Sequence, residues 1–105
     1  EWMSVPGFIY CRDVKVTARA FSAFYRADPR QDTARLIVDL NVPVLVLAAA
    51  QDKTVPDVRE AFGPLVERTR HRVRLETVEG ADHFFLDLAA DDAADRIAGF
   101  IKEAR

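Results

Sequence analysis

Apolar residues recur along this chain with two different periods, and the switch between them predicts its elements. From Asp13 as an expected N-cap, Val14, Ala18, Phe21 and Tyr25 fall at helical spacing, and Asp28 with Pro29 ends the pattern. A second helix is expected from Asp32, with Leu36, Ile37 and Leu40 on its apolar face and Asn41 before Pro43 closing it. Val42 to Ala50 is different in kind: it is continuously apolar, rich in Val and Leu, and carries its proline at the start, where a strand tolerates one. It reads as a strand buried on both faces, the pattern of parallel sheets covered by helices. Asp57 and Glu60 then have the spacing of a capping box ahead of a helix whose face is Val58, Phe62, Leu65 and Val66, with Gly63 and Pro64 expected to kink or split it. Val73, Leu75 and Thr77 or Val78 predict a second strand that ends at Glu79 and Gly80. A last helix is expected from Asp91 or Asp92, with Ala94, Ile97, Ile101 and Ala104 as its buried stripe. Ahead of all this, Glu1 to Arg12 keep no sustained period, and Pro6 with Gly7 marks a turn between Trp2 and the patch Phe8, Ile9, Tyr10, so loop or cap is expected there.

The expected order is helix, helix, strand, helix, strand, helix: an α/β fold with one βαβ unit, whose strands are parallel and whose crossover is right-handed. Residues 1–41 read as cap-like loop and helices, and 42–105 as strand, helix, strand, helix. A doubly buried strand needs hydrogen-bonding neighbours on both edges, yet Val42 to Ala50 has one obvious partner. Its other neighbour is expected upstream of Glu1 or in another copy of the chain.

Composition narrows the function classes. The chain has 105 residues, half apolar, with a formal charge of −2 spread over mixed acidic and basic positions. No continuous cationic stripe exists to neutralise a phosphate backbone, which argues against nucleic acid as a partner. The longest apolar run is far too short to cross a bilayer, and the N-terminus lacks signal-peptide features, so no membrane partner is expected and the compartment is read as cytoplasmic. Cys11 is the sole cysteine, which excludes an internal disulfide and a cysteine-rich metal site. The start at Glu1 rather than methionine suggests processing, truncation, or a segment cut from a longer polypeptide.

In open α/β sheets, residues just beyond the carboxyl ends of the strands line the binding crevice. Two segments qualify, Gln51 to Pro56 after the first strand and Gly80 to Phe85 after the second. On adjacent strands roughly 5 Å apart, Asp52 and His83 can meet. A carboxylate on one imidazole nitrogen fixes the tautomer and stabilises the imidazolium as it forms, which suits the pair to general-base chemistry.

The segments "VPVLVLAAAQDKTVP" (Val42 to Pro56) and "VEGADHFF" (Val78 to Phe85) resemble the acid-bearing strand and the histidine loop of the α/β-hydrolase superfamily. The resemblance covers roughly the last two-thirds of the chain. It implies a partial hydrolase-like parallel sheet in which Asp52 is the acid and His83 the histidine of a catalytic triad. Chain order in that family is nucleophile, acid, histidine, so the nucleophile and the oxyanion hole are expected from upstream sequence. The implied substrate is a small-molecule ester, amide or related compound, with no cofactor. Ala49 stands where the family often has glycine. There is no G-x-S-x-G motif, and Ser4 and Ser22 lie in no nucleophile elbow, so the 105 residues by themselves are expected to be inactive.

Plainer readings compete at each position. Asp52 can be a turn or cap residue and His83 a half-buried loop histidine. Asp82 points away from its neighbour and suits a solvated loop, and His71, between Arg70 and Arg72, suits the surface. Cys11 suits a small buried apolar group. A metal site from Asp52, Asp82, His83 and Asp87 lacks short ligand spacing. Trp2, Phe8 and Tyr10 can line a pocket in a cap or simply pack. The rival from another class is a non-catalytic α/β assembly module, completed by self-association into a homo-oligomer or by a partner chain that covers the open strand edge. A third reading, a small αβ ligand-binding domain unrelated to hydrolases, finds no glycine-rich phosphate loop in this sequence to support it.

Overall fold

A computed structural model describes residues 1–6 and 12–104. The expectations placed on Gly7, Phe8, Ile9, Tyr10 and Cys11 lie outside the described residues. The architecture is mixed α/β, with four α-helices and two small two-stranded sheets among the described residues. The chain divides into two compact units, Glu1–Gln31 and Asp32–Arg105.

The first unit departs from the expected loop and long helix. Strand β1 (Trp2–Pro6) pairs antiparallel with β2 (Asp13–Thr17), in the register Met3 opposite Val16 and Val5 opposite Val14. The reason is visible in Asp13–Val14–Lys15–Val16–Thr17, a strict polar/apolar alternation whose β-branched valines favour a pleated, half-buried surface. Val14 therefore points from a strand, and the N-cap is Thr17 rather than Asp13. The Thr17 hydroxyl accepts from the Ala20 amide at 3.1 Å and opens α1 (Ala18–Tyr25). A short 3-10 turn, Pro29–Gln31, closes the unit.

The second unit carries all seven of the buried apolar residues among those described. Asp32 caps α2 (Thr33–Asp39) by accepting from the Arg35 amide, as expected. Strand β3 (Val44–Ala49) pairs parallel with β4 (Val73–Val78), in the register Val44 with Val73 through Ala49 with Val78. Between them α3 (Val58–Arg68) runs through Pro64 as one helix. Asp57 sits at its N-cap position without a side-chain capping bond, so the expected capping box is not made.

Residues on alternate sides of the two strands meet different layers. On one side Val44, Val46 and Val73 pack with Ile37, Ala34 and Val38 of α2 and with Leu65 and Phe62 of α3 into an apolar core. On the other, α4 (Leu88–Glu103) is braced by polar pairs: Arg74 to Glu103 at 2.7 Å, and Arg96 to both Glu76 and Asp92 at 2.9 Å. The Arg74 guanidinium also lies over the Phe100 ring, 5.4 Å from its centroid. Helix α4 begins earlier than expected and turns Ala93, not Ala94, into the interior, while Ile97 and Ile101 are about half exposed. A two-stranded sheet is narrower than the apolar stripe of the helix above it, so only one side of that stripe finds cover. For the same reason β3 is half-buried along Val44 to Leu47, with only Ala48 fully buried, rather than buried on both faces.

Arg72, at the mouth of β4, ties the far end of α2 to the start of β3. Its guanidinium donates to the carbonyls of Ile37 (3.3 Å), Val38 (2.9 Å) and Val42 (3.2 Å). Among the described residues no helix is long and apolar enough to cross a membrane.

Candidate active site

The pairing of β3 with β4 continues past their carboxyl ends. The Ala50 amide donates to the Val78 carbonyl at 3.1 Å and the Gln51 amide to the Ala81 carbonyl at 2.9 Å. This carries the chain after β3 alongside the chain after β4, and brings together two residues 31 positions apart. Asp52 Oδ2 and His83 Nδ1 are 2.9 Å apart.

Asp52 is held by its own turn. Its Oδ1 accepts from the Thr54 amide at 2.8 Å and the Val55 amide at 2.9 Å, leaving Oδ2 for the ring. The side chain is only 9 % exposed, against 31 % for His83. The Val55 amide, then the His83 ring and the Thr54 amide, hold the Asp52 carboxyl below its ordinary value, against the opposing effect of desolvation. An ionised carboxylate only accepts, so the proton between the two groups belongs to Nδ1, which donates. In the neutral ring Nε2 is then the basic nitrogen.

The histidine loop is built differently. Gly80 has φ +72°, and a side chain there would meet no atom within 4 Å, so the glycine answers a backbone requirement rather than a packing one. Ala81 is buried and anchors the loop. Asp82 Oδ1 accepts from the Phe84 amide at 2.9 Å and its carbonyl from the Phe85 amide at 3.2 Å, folding the loop around His83. Phe85 and Asp87 hold φ of 48° and 53°. The Phe84 ring stands edge-on to the imidazole at 5.4 Å between centroids. Beside the pair is an open depression of about 350 Å³, lined by Gln51, Lys53, Thr54, Asp82, His83 and Phe84.

Other candidates stay apart from this pair. Asp82 is exposed and serves its own loop, and Asp87 sits at the N-cap position of α4. His71 is exposed, 3.8 Å from Glu67. Ser4 lies on β1 and Ser22 on α1, within a strand and a helix rather than at a strand-to-helix turn. Trp2 is exposed on β1. No group of three or more metal-ligating side chains occurs among the described residues. The sequence reading missed the Thr54 and Val55 amides, although an Asp that opens a turn was the available signal. Every residue that lines the depression falls within the two segments expected beyond the strand ends, Gln51 to Pro56 and Gly80 to Phe85.

Compared with protein-family models, with curated proteins and with solved structures, the chain matches none.

Proposed function

We propose that this chain supplies the acid and the histidine of a serine-type α/β-hydrolase, which cleaves an ester, amide or related bond with a nucleophile from another segment. What supports the reading most is the 2.9 Å Asp52–His83 contact at the carboxyl ends of two adjacent parallel strands, with the second carboxylate oxygen held by two backbone amides. In this mechanism His83 Nε2 takes the proton of the serine hydroxyl as its oxygen attacks the substrate carbonyl, and Asp52 stabilises the imidazolium that results. The imidazolium returns the proton to the leaving alcohol or amine. A water deprotonated by His83 then hydrolyses the acyl-enzyme, and the serine is regenerated.

A fluorophosphonate probe tests this on the native polypeptide or complex that contains the chain. Labelling of one serine, suppressed by His83→Ala and by Asp52→Asn, is the expected result. Absence of any reactive serine in the native polypeptide and in every chain that co-purifies with it would end the hydrolase reading.

A second reading draws on another observation. The parallel sheet has two strands, and Ile97, Ile101, Leu36 and Leu40 are exposed around it. An assembly module completed by a second copy or a partner would use such edges and apolar surface. Light scattering over a concentration range reads this out directly, with a compact monomer that binds no hydrophobic dye as the result against it.

A further inference from the structure

We infer that the depression beside His83 is a subsite for a carboxylate, held by Lys53 together with Gln51 and Thr54, so that the ester or amide cleaved here carries a free acid group. The substrate class rests on the proposed function, whereas the subsite is argued from the walls of the depression alone.

The depression has two chemically different walls. Gln51, Lys53 and Thr54, from the chain after β3, present a carboxamide, an ammonium and a hydroxyl, all able to donate. The chain after β4 presents a carboxylate, the imidazole and an aromatic ring, from Asp82, His83 and Phe84. Among the described residues none of the three donor side chains makes a hydrogen bond or an ion pair. Lys53 pairs neither with Asp82 across the depression nor with its neighbour Asp52, whose carboxylate is turned onto His83 and two backbone amides. The donor side chains are exposed, yet their roots are fixed: the Gln51 amide donates to the Ala81 carbonyl at 2.9 Å, and the Thr54 amide to Asp52 Oδ1 at 2.8 Å. They are thus referenced to the strand pair that carries His83. Asp52 is not among the walls, so the depression meets the imidazole away from the bond to that acid. Several donors converging from one side, one of them fully charged, suit a group that accepts through two oxygens. Asp82 works in the opposite direction. Its Oδ1 accepts from the Phe84 amide, and its charge disfavours a second negative charge in the same depression. The subsite therefore takes a carboxylate monoanion rather than a doubly charged phosphate.

Two measurements separate the subsite from the hydrolase reading. In the 105-residue chain, amide chemical shifts are followed while sodium benzoate, or its neutral counterpart benzamide, is added at constant ionic strength. Benzoate is expected to shift Gln51, Lys53, Thr54 and His83 and to bind about fivefold more tightly than benzamide, the upper worth of one exposed charge pair. Lys53→Met is expected to erase that difference, Lys53→Arg to keep it and Asp82→Asn to enlarge it, and the same spectra show that each variant is folded. In the native polypeptide or complex, kcat/KM is compared within two ester pairs. The para-nitrophenyl monoester of adipic acid and its methyl-ketone isostere place the acid on the acyl side. Meta-acetoxybenzoate and meta-acetoxyacetophenone place it on the leaving group. The anionic member of one pair is expected to be favoured about fivefold, by a ratio that falls with added salt and is lost in Lys53→Met. Equal affinity for benzoate and benzamide, no preference in either ester pair, or a preference that survives Lys53→Met would overturn the inference, and a fluorophosphonate-labelled serine would leave the hydrolase reading standing. Lys53-dependent selection of benzoate, in a native polypeptide with no reactive serine, would leave the carboxylate subsite standing and remove the hydrolase reading alone.

Discussion

The two loops that form the site reach the same contact by opposite means. After β3, every constraint on Asp52 is a hydrogen bond, and none of Ala50 to Val55 has a left-handed backbone. After β4, the chain reaches His83 through Gly80 and leaves it through Phe85 and Asp87, all with positive φ. The carboxylate is a fixed reference, and the ring is brought to it by a loop that stores backbone strain. A pair needs only one partner immobilised by bonding if the other is placed by chain geometry. Strain of this kind persists where the surrounding structure over-determines it.

The largest effect should come from breaking the reference side. Asp52→Asn keeps the size of the side chain but offers His83 a neutral amide and removes the preference for the Nδ1–H tautomer. Under the proposed mechanism, the rate of serine acylation in the complete enzyme falls by roughly 10⁴-fold, as in other triads that lose the acid. Acylation kinetics with an activated ester measure it, and a drop below tenfold would mean that the carboxylate does not direct the ring.

On the histidine side the effects are ones of stability. Gly80→Ala meets open space, so its cost is backbone alone, about 1–2 kcal/mol for a left-handed residue with a Cβ. Asp87→Gly tests the same strain with the opposite sign. Asp87 sits at φ 53°, ψ −129° and makes no side-chain capping bond, so glycine there is expected to stabilise by up to about 1 kcal/mol. Urea midpoints for the pair should move in opposite directions. Parallel movement would show that the loop is not strained as described.

The smallest effect concerns acid. Because the folded Asp52 carboxyl lies below its unfolded value, its contribution to stability is fully present above the ordinary carboxylate range and is lost as pH falls through the lowered folded value. Asp52→Asn should flatten that part of the stability curve, as followed by denaturation at stepped pH.

Much of the site was legible because its logic is topological. Val42 to Ala50 and Val73 to Val78 announce themselves as strands, and residues after parallel strands converge whatever the intervening helix does. The plainer reading of Asp52 as a turn residue was set against its pairing with His83, yet the two coexist: Oδ1 serves the turn and Oδ2 the imidazole. Residue types alone do not say that one carboxylate will divide its oxygens. The hairpin of the first unit was lost because Val14 also fits a helical spacing with Ala18 and Phe21, and five residues of alternation in Asp13–Val14–Lys15–Val16–Thr17 were outweighed by a longer helical match. The face of α4 was misread for another reason. Periodicity reports which residues are apolar, whereas burial depends on how wide a sheet the helix lies upon, and here Arg96 and Phe100 face the strands while Ile97 and Ile101 do not.

The reach of Arg72 has a consequence for how the second unit opens. A single guanidinium spans three carbonyls that belong to the end of one element and the approach to another, 30 to 35 residues earlier in the chain. Fraying of α2 from its carboxyl end would strip acceptors from a charged group that is itself fixed at the start of β4. Local opening there is therefore coupled to the strand pair, and amide hydrogens near Leu40 and Val44 should exchange with solvent in one cooperative step with those of β4 rather than in sequence from the helix end.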